Sequence, residues 1–293
     1  MNIAFYEMPQ WQEDYISKKL SAHKLFFFPE SFSESNFPSP QTDVLCVFSG
    51  CATGSGVMQS VTNLKLVVTR STGYDHIDVE AAKSRGVVVC NVPAYGANTV
   101  AEFAFGLILA LSRKIYPAIR RVREQHLFNS EGLQGFDLAG KTIGVIGTGH
   151  IGAHVIAMAR GFNMKIVAYD PKPNAELMAS YGVEYLELEK LLESSDVITI
   201  HVPYLPATHH LLNKTNMQKI KKGAVLINTA RGGLIETDAL ITALQTGRLS
   251  GAALDVLEEE GLVQEEMHIL EHGHPNQEQL RVVLEDHLLM GMD

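Results

Sequence analysis

Cysteine and tryptophan are scarce in this 293-residue chain, at three and one. Cys46, Cys51 and Cys90 show no paired spacing, so no disulfide framework organises the fold. They suit a reducing cytosol as small buried or half-buried residues. Basic charge is short too. The 24 Lys and Arg against 33 Asp and Glu leave a net charge of -9, which favours solubility and argues against a nucleic-acid surface. The most basic stretch, Arg113 to Arg123, has helical spacing and reads as a solvated helix face. No apolar run has the length of a membrane span: Phe103 to Leu111 is too short and is followed by Arg113 and Lys114. The start, Met1-Asn-Ile-Ala-Phe-Tyr, enters a strand pattern with no basic region or cleavage site. A cytoplasmic protein without membrane attachment is therefore expected. There is no sequence repeat and no low-complexity segment. His268, His272 and His274 lack the spacing of an open metal site, so they read as a solvated loop and no metal is expected. What is present is globular, 46% hydrophobic and 19% charged, in a length that suits two domains with a core each.

The first part of the chain alternates strands and helices. Asn2 to Tyr6, Lys24 to Phe28, Val44 to Phe48, Leu64 to Thr69 and Val87 to Cys90 read as strands. Trp11 to Leu20 and Asp78 to Ser84 read as helices, the second opened by an Asp at an N-cap position. Pro29 to Pro40 is a Ser- and Pro-bearing loop. Such alternation implies a parallel sheet with helices on both faces. From Asn98 to about Arg123 a single long helical stretch is expected. It is almost all apolar from Val100 to Leu111, so it must be buried on several sides, between domains or in a subunit interface. After a polar loop, Phe128 to Gly140, a second alternating unit begins. Its strands are Thr142 to Ile146, Lys165 to Tyr169, Val183 to Tyr185, Val197 to His201, Ala224 to Asn228 and Gly251 to Leu254. The expected architecture is α/β with two doubly wound parallel-sheet domains, residues 1–96 and 97–293, the second a Rossmann-type dinucleotide-binding unit.

The segment Lys141-Thr-Ile-Gly-Val-Ile-Gly-Thr-Gly-His-Ile-Gly152 carries the most chemistry. A buried strand runs into glycines at Gly147, Gly149 and Gly152, and a helix follows. One glycine permits the tight turn, one lets the backbone approach a pyrophosphate, and one lets helix and strand pack closely. The helix N-terminus offers free N–H groups and the positive end of a dipole. A second apolar run, Ile166-Val-Ala-Tyr-Asp170, ends in an acid placed to accept bonds from a ribose diol, which favours NAD over NADP. A glycine-rich turn that binds nothing is the alternative, and the strand–turn–helix–strand–acid context argues against it. Two further segments fall at strand ends, where open α/β sheets place ligands. In Leu226-Ile-Asn-Thr-Ala-Arg-Gly-Gly233, the Arg231 guanidinium could grip a carboxylate through two parallel bonds. In Gly251-Ala-Ala-Leu-Asp-Val-Leu-Glu-Glu-Glu260, Asp255 sits at a strand end and three glutamates follow. Singly, Arg231 could be a surface arginine and the glutamates a solvated charge run.

The chain resembles the D-specific 2-hydroxyacid dehydrogenases, nearest their D-lactate dehydrogenase branch, over almost its whole length. The resemblance rests on Ser71-Thr-Gly-Tyr-Asp-His-Ile-Asp78, Asn91-Val-Pro-Ala-Tyr-Gly96, Asn98-Thr-Val-Ala-Glu-Phe-Ala104, Gly147-Thr-Gly-His-Ile-Gly152, His201-Val-Pro203, Asn228-Thr-Ala-Arg-Gly-Gly233 and Ala253-Leu-Asp-Val256. It implies a flavodoxin-like substrate domain over residues 1–96, a homodimer, NAD as cofactor and a small 2-oxo or 2-hydroxy acid as substrate. It implies that Arg231 is the catalytic arginine, that Glu260 is the acid paired with a catalytic histidine, and that Asp255 meets the nicotinamide carboxamide. By the same likeness Gly147, Thr148, Gly149, His150, Ile151, Gly152, Asp170, His201, Val202, Pro203, Thr208, Thr229 and Ala230 are cofactor residues. Thr72 and Gly73 resemble the N–H pair that receives the substrate carboxylate, and Tyr95 a substrate-side aromatic.

The likeness departs at the end. The family's histidine follows one more strand, in a Pro-His turn, and the 293 residues stop at Leu288-Leu-Met-Gly-Met-Asp293. His287 does not match that position, and His201 matches one beside the cofactor. The expectation is a chain without its general base that binds NAD but turns over poorly. The implied reaction is reversible hydride transfer at C2, with Arg231 stabilising charge on the C2 oxygen and an imidazole exchanging the hydroxyl proton. The loop Phe48-Ser-Gly-Cys-Ala-Thr53 has no base to meet a second anion, which points to a pyruvate-like acid. A rival from another class is an NAD-sensing binding protein of the same fold. Arg231 and Glu260 together argue against it. A phosphoglycerate dehydrogenase would carry an extra regulatory domain, and none is seen.

Overall fold

A computed structural model describes residues 1–33 and 35–258. The chain divides into two compact units, with the boundary between Gly96 and Ala97.

In the first unit the strands are Asn2–Phe5 (β1), Lys24–Phe27 (β2), Val44–Val47 (β3), Leu66–Thr69 (β4) and Val88–Cys90 (β5). The helices are Gln10–Lys19 (α1), Ser55–Ser60 (α2) and Val79–Ser84 (α3). All neighbouring strands pair in parallel in the order β2-β1-β3-β4-β5, the flavodoxin-like winding. β3 is central and buried along its whole length, which is why Val44-Leu-Cys-Val47 is a continuous apolar run rather than an alternating one. Asp78 caps α3, its carboxylate accepting from the Ala81 N–H at 2.8 Å. α2 has no counterpart among the sequence expectations. Gly54, Ser55 and Gly56 are weak helix formers, and burial of Val57 and Met58 in the core holds the helix instead.

The second unit begins with Ala97–Ser112 (α4) and Ile115–Arg123 (α5). It continues through Thr142–Ile146 (β6), His150–Gly161 (α6), Lys165–Tyr169 (β7), Ala175–Tyr181 (α7), Glu184–Tyr185 (β8), Leu188–Ser194 (α8), Val197–Ile200 (β9), Ala224–Asn228 (β10), Thr237–Gln245 (α9) and Leu249–Leu254 (β11). The sheet order is β11-β10-β9-β6-β7-β8, parallel throughout. Counted from β6 this is the doubly wound dinucleotide-binding order, whose direction reverses between β6 and β9. One face packs Ile143, Val145, Ile166 and Ile227 against α4 and α6. The other packs Ile146, Ile198, Ile200 and Leu226 against α8 and α9.

The expected single helix from Asn98 to Arg123 is two helices. Lys114 takes a left-handed backbone, φ +53, and α5 restarts behind it. Pro117 explains the break: inside a continuous helix its ring would clash with the Arg113 carbonyl, whereas in the first turn of α5 its missing N–H costs nothing. The expected burial of Val100 to Leu111 holds for one face. Ala101, Ala104, Phe105 and Ile108 are buried, while Phe103 is exposed. Among the described residues no helix is long and apolar enough to cross a membrane.

Candidate active site

The switch between β6 and β9 places two strand exits side by side. Gly147 follows β6 at φ +93, and a Cβ there would lie 2.7 Å from the carbonyl carbon and oxygen of His201, just past β9, and 2.8 Å from Val202 Cγ1. A Cβ on Gly152 would lie 2.0 Å from the Gly147 oxygen. Both positions therefore require glycine, one for backbone handedness and one for the approach of α6 to the turn. Gly149, the residue before α6, is different: a Cβ there meets nothing within 4 Å. His150 is exposed at the opening of that helix and Ile151 half-buried. The first turn of α6 is thus open in front of its N–H groups, the geometry a pyrophosphate needs.

Asp170 lies just past β7. Its Oδ2 accepts from Thr148 N at 2.8 Å and Thr148 Oγ1 at 3.1 Å, and its Oδ1 from Lys172 N at 2.8 Å. Tyr185 Oη donates to Thr148 Oγ1 at 3.0 Å. The carboxylate is therefore oriented by the turn it faces. His201 is held by Thr199 Oγ1 at 2.9 Å through Nε2. Its Nδ1 is buried with no hydrogen-bond partner among the described residues, and burial lowers its pKa to about 4. It is a neutral imidazole, unsuited to take up a proton near neutral pH. Thr208 Oγ1 donates to the Pro203 carbonyl at 2.7 Å and accepts from Leu205 N at 2.8 Å, so its hydroxyl closes the loop after β9.

At the end of β10 the buried Asn228 folds the chain back. Its Oδ1 accepts from Ala230 N at 3.0 Å and its Nδ2 donates to the Arg231 carbonyl at 2.8 Å. This side-chain-built turn carries Arg231 out of the sheet. Thr229 Oγ1 is buried without a partner among the described residues, beside Ala230. Two unsatisfied buried polar atoms, on Thr229 and His201, at the exits of β10 and β9, and an open helix N-terminus at the exit of β6, fit a polar ligand along this edge. Asp255 follows β11, its N–H donating to the Asn228 carbonyl at 2.9 Å, and partial withdrawal from water raises its pKa.

Glu258 was not singled out by the sequence, where it reads as part of a charge run. It is tied down. His210 Nε2 lies 2.5 Å from its Oε1, and Thr237 donates to its Oε2 from Oγ1 at 2.7 Å and from N at 3.2 Å. Burial alone would raise this carboxyl; the bonds from His210 and Thr237 outweigh it and hold its pKa low. The tandem His209-His210 after β9 was the available signal. Glu260, His268, His272, His274 and His287 lie outside the described residues, and among the described residues no cluster could hold a metal.

In the first unit Thr72 and Gly73 follow β4. Neither N–H donates to another described residue, while Thr72 Oγ1 donates to the Val92 carbonyl at 3.0 Å. Tyr95 is exposed.

Comparison with known proteins gives the family. Residues 105–288 match the model of the D-isomer specific 2-hydroxyacid dehydrogenase, NAD binding domain. A 2-hydroxyacid dehydrogenase homolog of Zymomonas mobilis is 38% identical over 89% of this chain and 80% of its own length. The D-lactate dehydrogenase of Escherichia coli is 36% identical over the same shares. Among solved structures, the D-lactate dehydrogenase of Aquifex aeolicus, complexed with NAD and lactic acid, superposes with a TM-score of 0.87 at 33% identity, over 97% of this chain and 85% of that one. The glycine turn, the acid after β7 and the arginine after β10 thus lie in a chain that belongs to the NAD-dependent D-isomer-specific 2-hydroxyacid dehydrogenases, a family of oxidoreductases.

Proposed function

We propose that this protein interconverts a small 2-oxo acid of the pyruvate type and its D-2-hydroxy acid, as a cytoplasmic homodimer. The observation that carries the substrate reading is the Asn228 turn, which presents Arg231 at the same sheet edge as the glycine turn. Relatives named D-lactate dehydrogenase and, in Thermotoga maritima, hydroxypyruvate reductase support a short acid. In this reading Gly147, Thr148, Gly149, His150, Ile151 and Gly152 bind the pyrophosphate, and Asp170 turns from Thr148 to the ribose diol. His201, Val202, Pro203, Thr208, Thr229, Ala230 and Asp255 line the rest of the dinucleotide. NAD supplies the hydride acceptor and donor at its nicotinamide. Arg231 holds the carboxylate in two-pronged fashion and stabilises charge that develops on the C2 oxygen. Thr72, Gly73 and Tyr95 are the substrate residues of the first unit, which is the substrate domain, and Glu260 is the acid that favours a protonated imidazole.

The dimer reading rests on apolar surface. Phe103, Ile115, Ile119, Val122 and Phe128 are exposed along α4, α5 and the loop beyond, with Phe128 96% exposed. Side chains of this kind in one stretch mark an interaction face. The free thiols fit a reducing compartment.

Arg231→Lys tests the substrate assignment. It keeps the charge and loses the planar fork. Binding of oxamate, a pyruvate analogue, to the NADH complex should weaken about tenfold or more, a loss of roughly 1.4 kcal/mol or more, while NADH affinity stays nearly intact. Unchanged oxamate binding would show the assignment to be wrong.

A further inference from the structure

The turn that carries Arg231 is pinched from two sides. A Cβ on Gly232 would lie 1.9 Å from the Leu257 carbonyl oxygen, and one on Gly233 would lie 2.9 Å from the Tyr204 ring. Both glycines are therefore sites of close approach. The segment after β9 is stitched to this turn through its backbone: His210 N donates to the Gly233 carbonyl at 2.9 Å and Leu212 N to the Leu234 carbonyl at 3.0 Å. The segment after β11 packs on the turn at Gly232 and is bonded to the segment after β9 and to the start of α9 by a single carboxylate. Glu258 binds His210 with one oxygen and Thr237, at the start of α9, with the other. His210 is further braced by the His209 ring, stacked at 3.8 Å, whose Nδ1 meets Tyr204 Oη at 3.0 Å. His210 also adopts φ +47, a backbone state uncommon outside glycine. Such a state persists where its surroundings over-determine it, and here those surroundings are the Gly233 carbonyl and Glu258.

We propose that His210 and Glu258 are positioning residues: a clasp that fixes the Arg231 turn between the loops after β9 and β11 and so sets the angle at which the guanidinium meets the substrate carboxylate. The clasp rests on the substrate role of Arg231 proposed above. Its bonds reach neither the glycine turn nor Asp170, so its effect falls on the acid far more than on the pyrophosphate and ribose contacts that hold most of the dinucleotide. A bidentate grip depends on orientation, and displacement by about 1 Å is enough to cost up to about a hundredfold.

The test uses the full chain with NADH, read by its fluorescence, and oxamate as the probe of the acid site. His210→Asn keeps a residue that tolerates positive φ but is too short to reach Glu258. His210→Gln has an amide N–H that can still donate to the carboxylate. Glu258→Ala removes the other partner and serves if H210N does not fold. The expected result is oxamate affinity reduced about tenfold or more in H210N and E258A, NADH affinity within about twofold of wild type, and most of the loss recovered in H210Q. Wild-type oxamate affinity in H210N and E258A overturns the clasp alone. So does an equal weakening of NADH and oxamate with no recovery in H210Q, the mark of a merely structural pair. No oxamate binding by the wild-type NADH complex overturns the reading of Arg231 and the clasp with it.

Discussion

Asp170 is a carboxylate held in place by the turn it faces. Its Oδ2 holds Thr148 N and Oγ1, and its Oδ1 holds Lys172 N, so these contacts fix the acid beside the glycine turn. An acid in that place accepts from a 2′-hydroxyl and repels a 2′-phosphate. Lys172 is the neighbouring base that could soften the repulsion, yet only its backbone N–H is engaged in the contact above. NADH should therefore bind more tightly than NADPH, and Asp170→Asn should narrow the gap by removing the negative charge. Fluorescence titration of both nucleotides checks this; equal affinities in the wild type would sink it. The residue scale also separates what spacing can and cannot reveal. The jobs of Gly147 and Gly152 were legible because a strand, a turn and a helix leave few places for a Cβ. The bond between His210 and Glu258 was not, since it joins residues forty-eight apart through a loop whose path only the folded sheet defines. Nothing in Glu258-Glu-Glu260 distinguishes a tied carboxylate from a solvated one until Thr237 and His210 are placed.

At the level of elements, strands were the most readable. β3, β9 and β10 are buried along their lengths, and a parallel sheet covered on both faces writes itself as short continuous apolar runs. Helices were read where a cap or a long pattern marked them, as at Asp78. α2 was missed because tertiary burial, not propensity, holds Ser55–Ser60. The long stretch from Asn98 was misjudged for a local reason, Pro117, whose effect on Lys114 turns one helix into two. That break has a consequence. It leaves Ile115, Ile119 and Val122 exposed on α5, with Phe128 exposed in the loop that follows, apolar area that a lone chain would leave in water. Light scattering at micromolar concentration should give the mass of a dimer, and Ile119→Glu with Val122→Glu should shift it towards the monomer by setting charges in a dehydrated interface. A stable wild-type monomer would rule the dimer out.

On the scale of the whole molecule, the buried groups of the second unit set its tolerance of acid. His201 is neutral in the fold because burial lowers its pKa to about 4, while an unfolded histidine titrates near 6.5. Below that value the unfolded chain binds a proton that the folded chain refuses. The stability contributed by the neutral ring is thus complete above about pH 6.5 and is lost as pH falls towards about 4. Glu258 and Asp196 act in the same direction at lower pH. In both, burial would raise the carboxyl, and hydrogen bonds from His210 and Thr237, or from Lys221 and Thr142, outweigh it and lower the pKa. Stability should therefore fall in two stages, first through the imidazole window and then through the carboxylate one. The first stage amounts to roughly 2–3 kcal/mol at about pH 4.5. His201→Gln, whose amide can still meet Thr199 but cannot titrate, should lose most of that first stage and keep the second. Urea melts at pH 7.5, 5.5 and 4.5 measure both limbs. If wild type and H201Q fall in parallel between pH 7.5 and 4.5, the buried imidazole is not what makes this fold sensitive to mild acid.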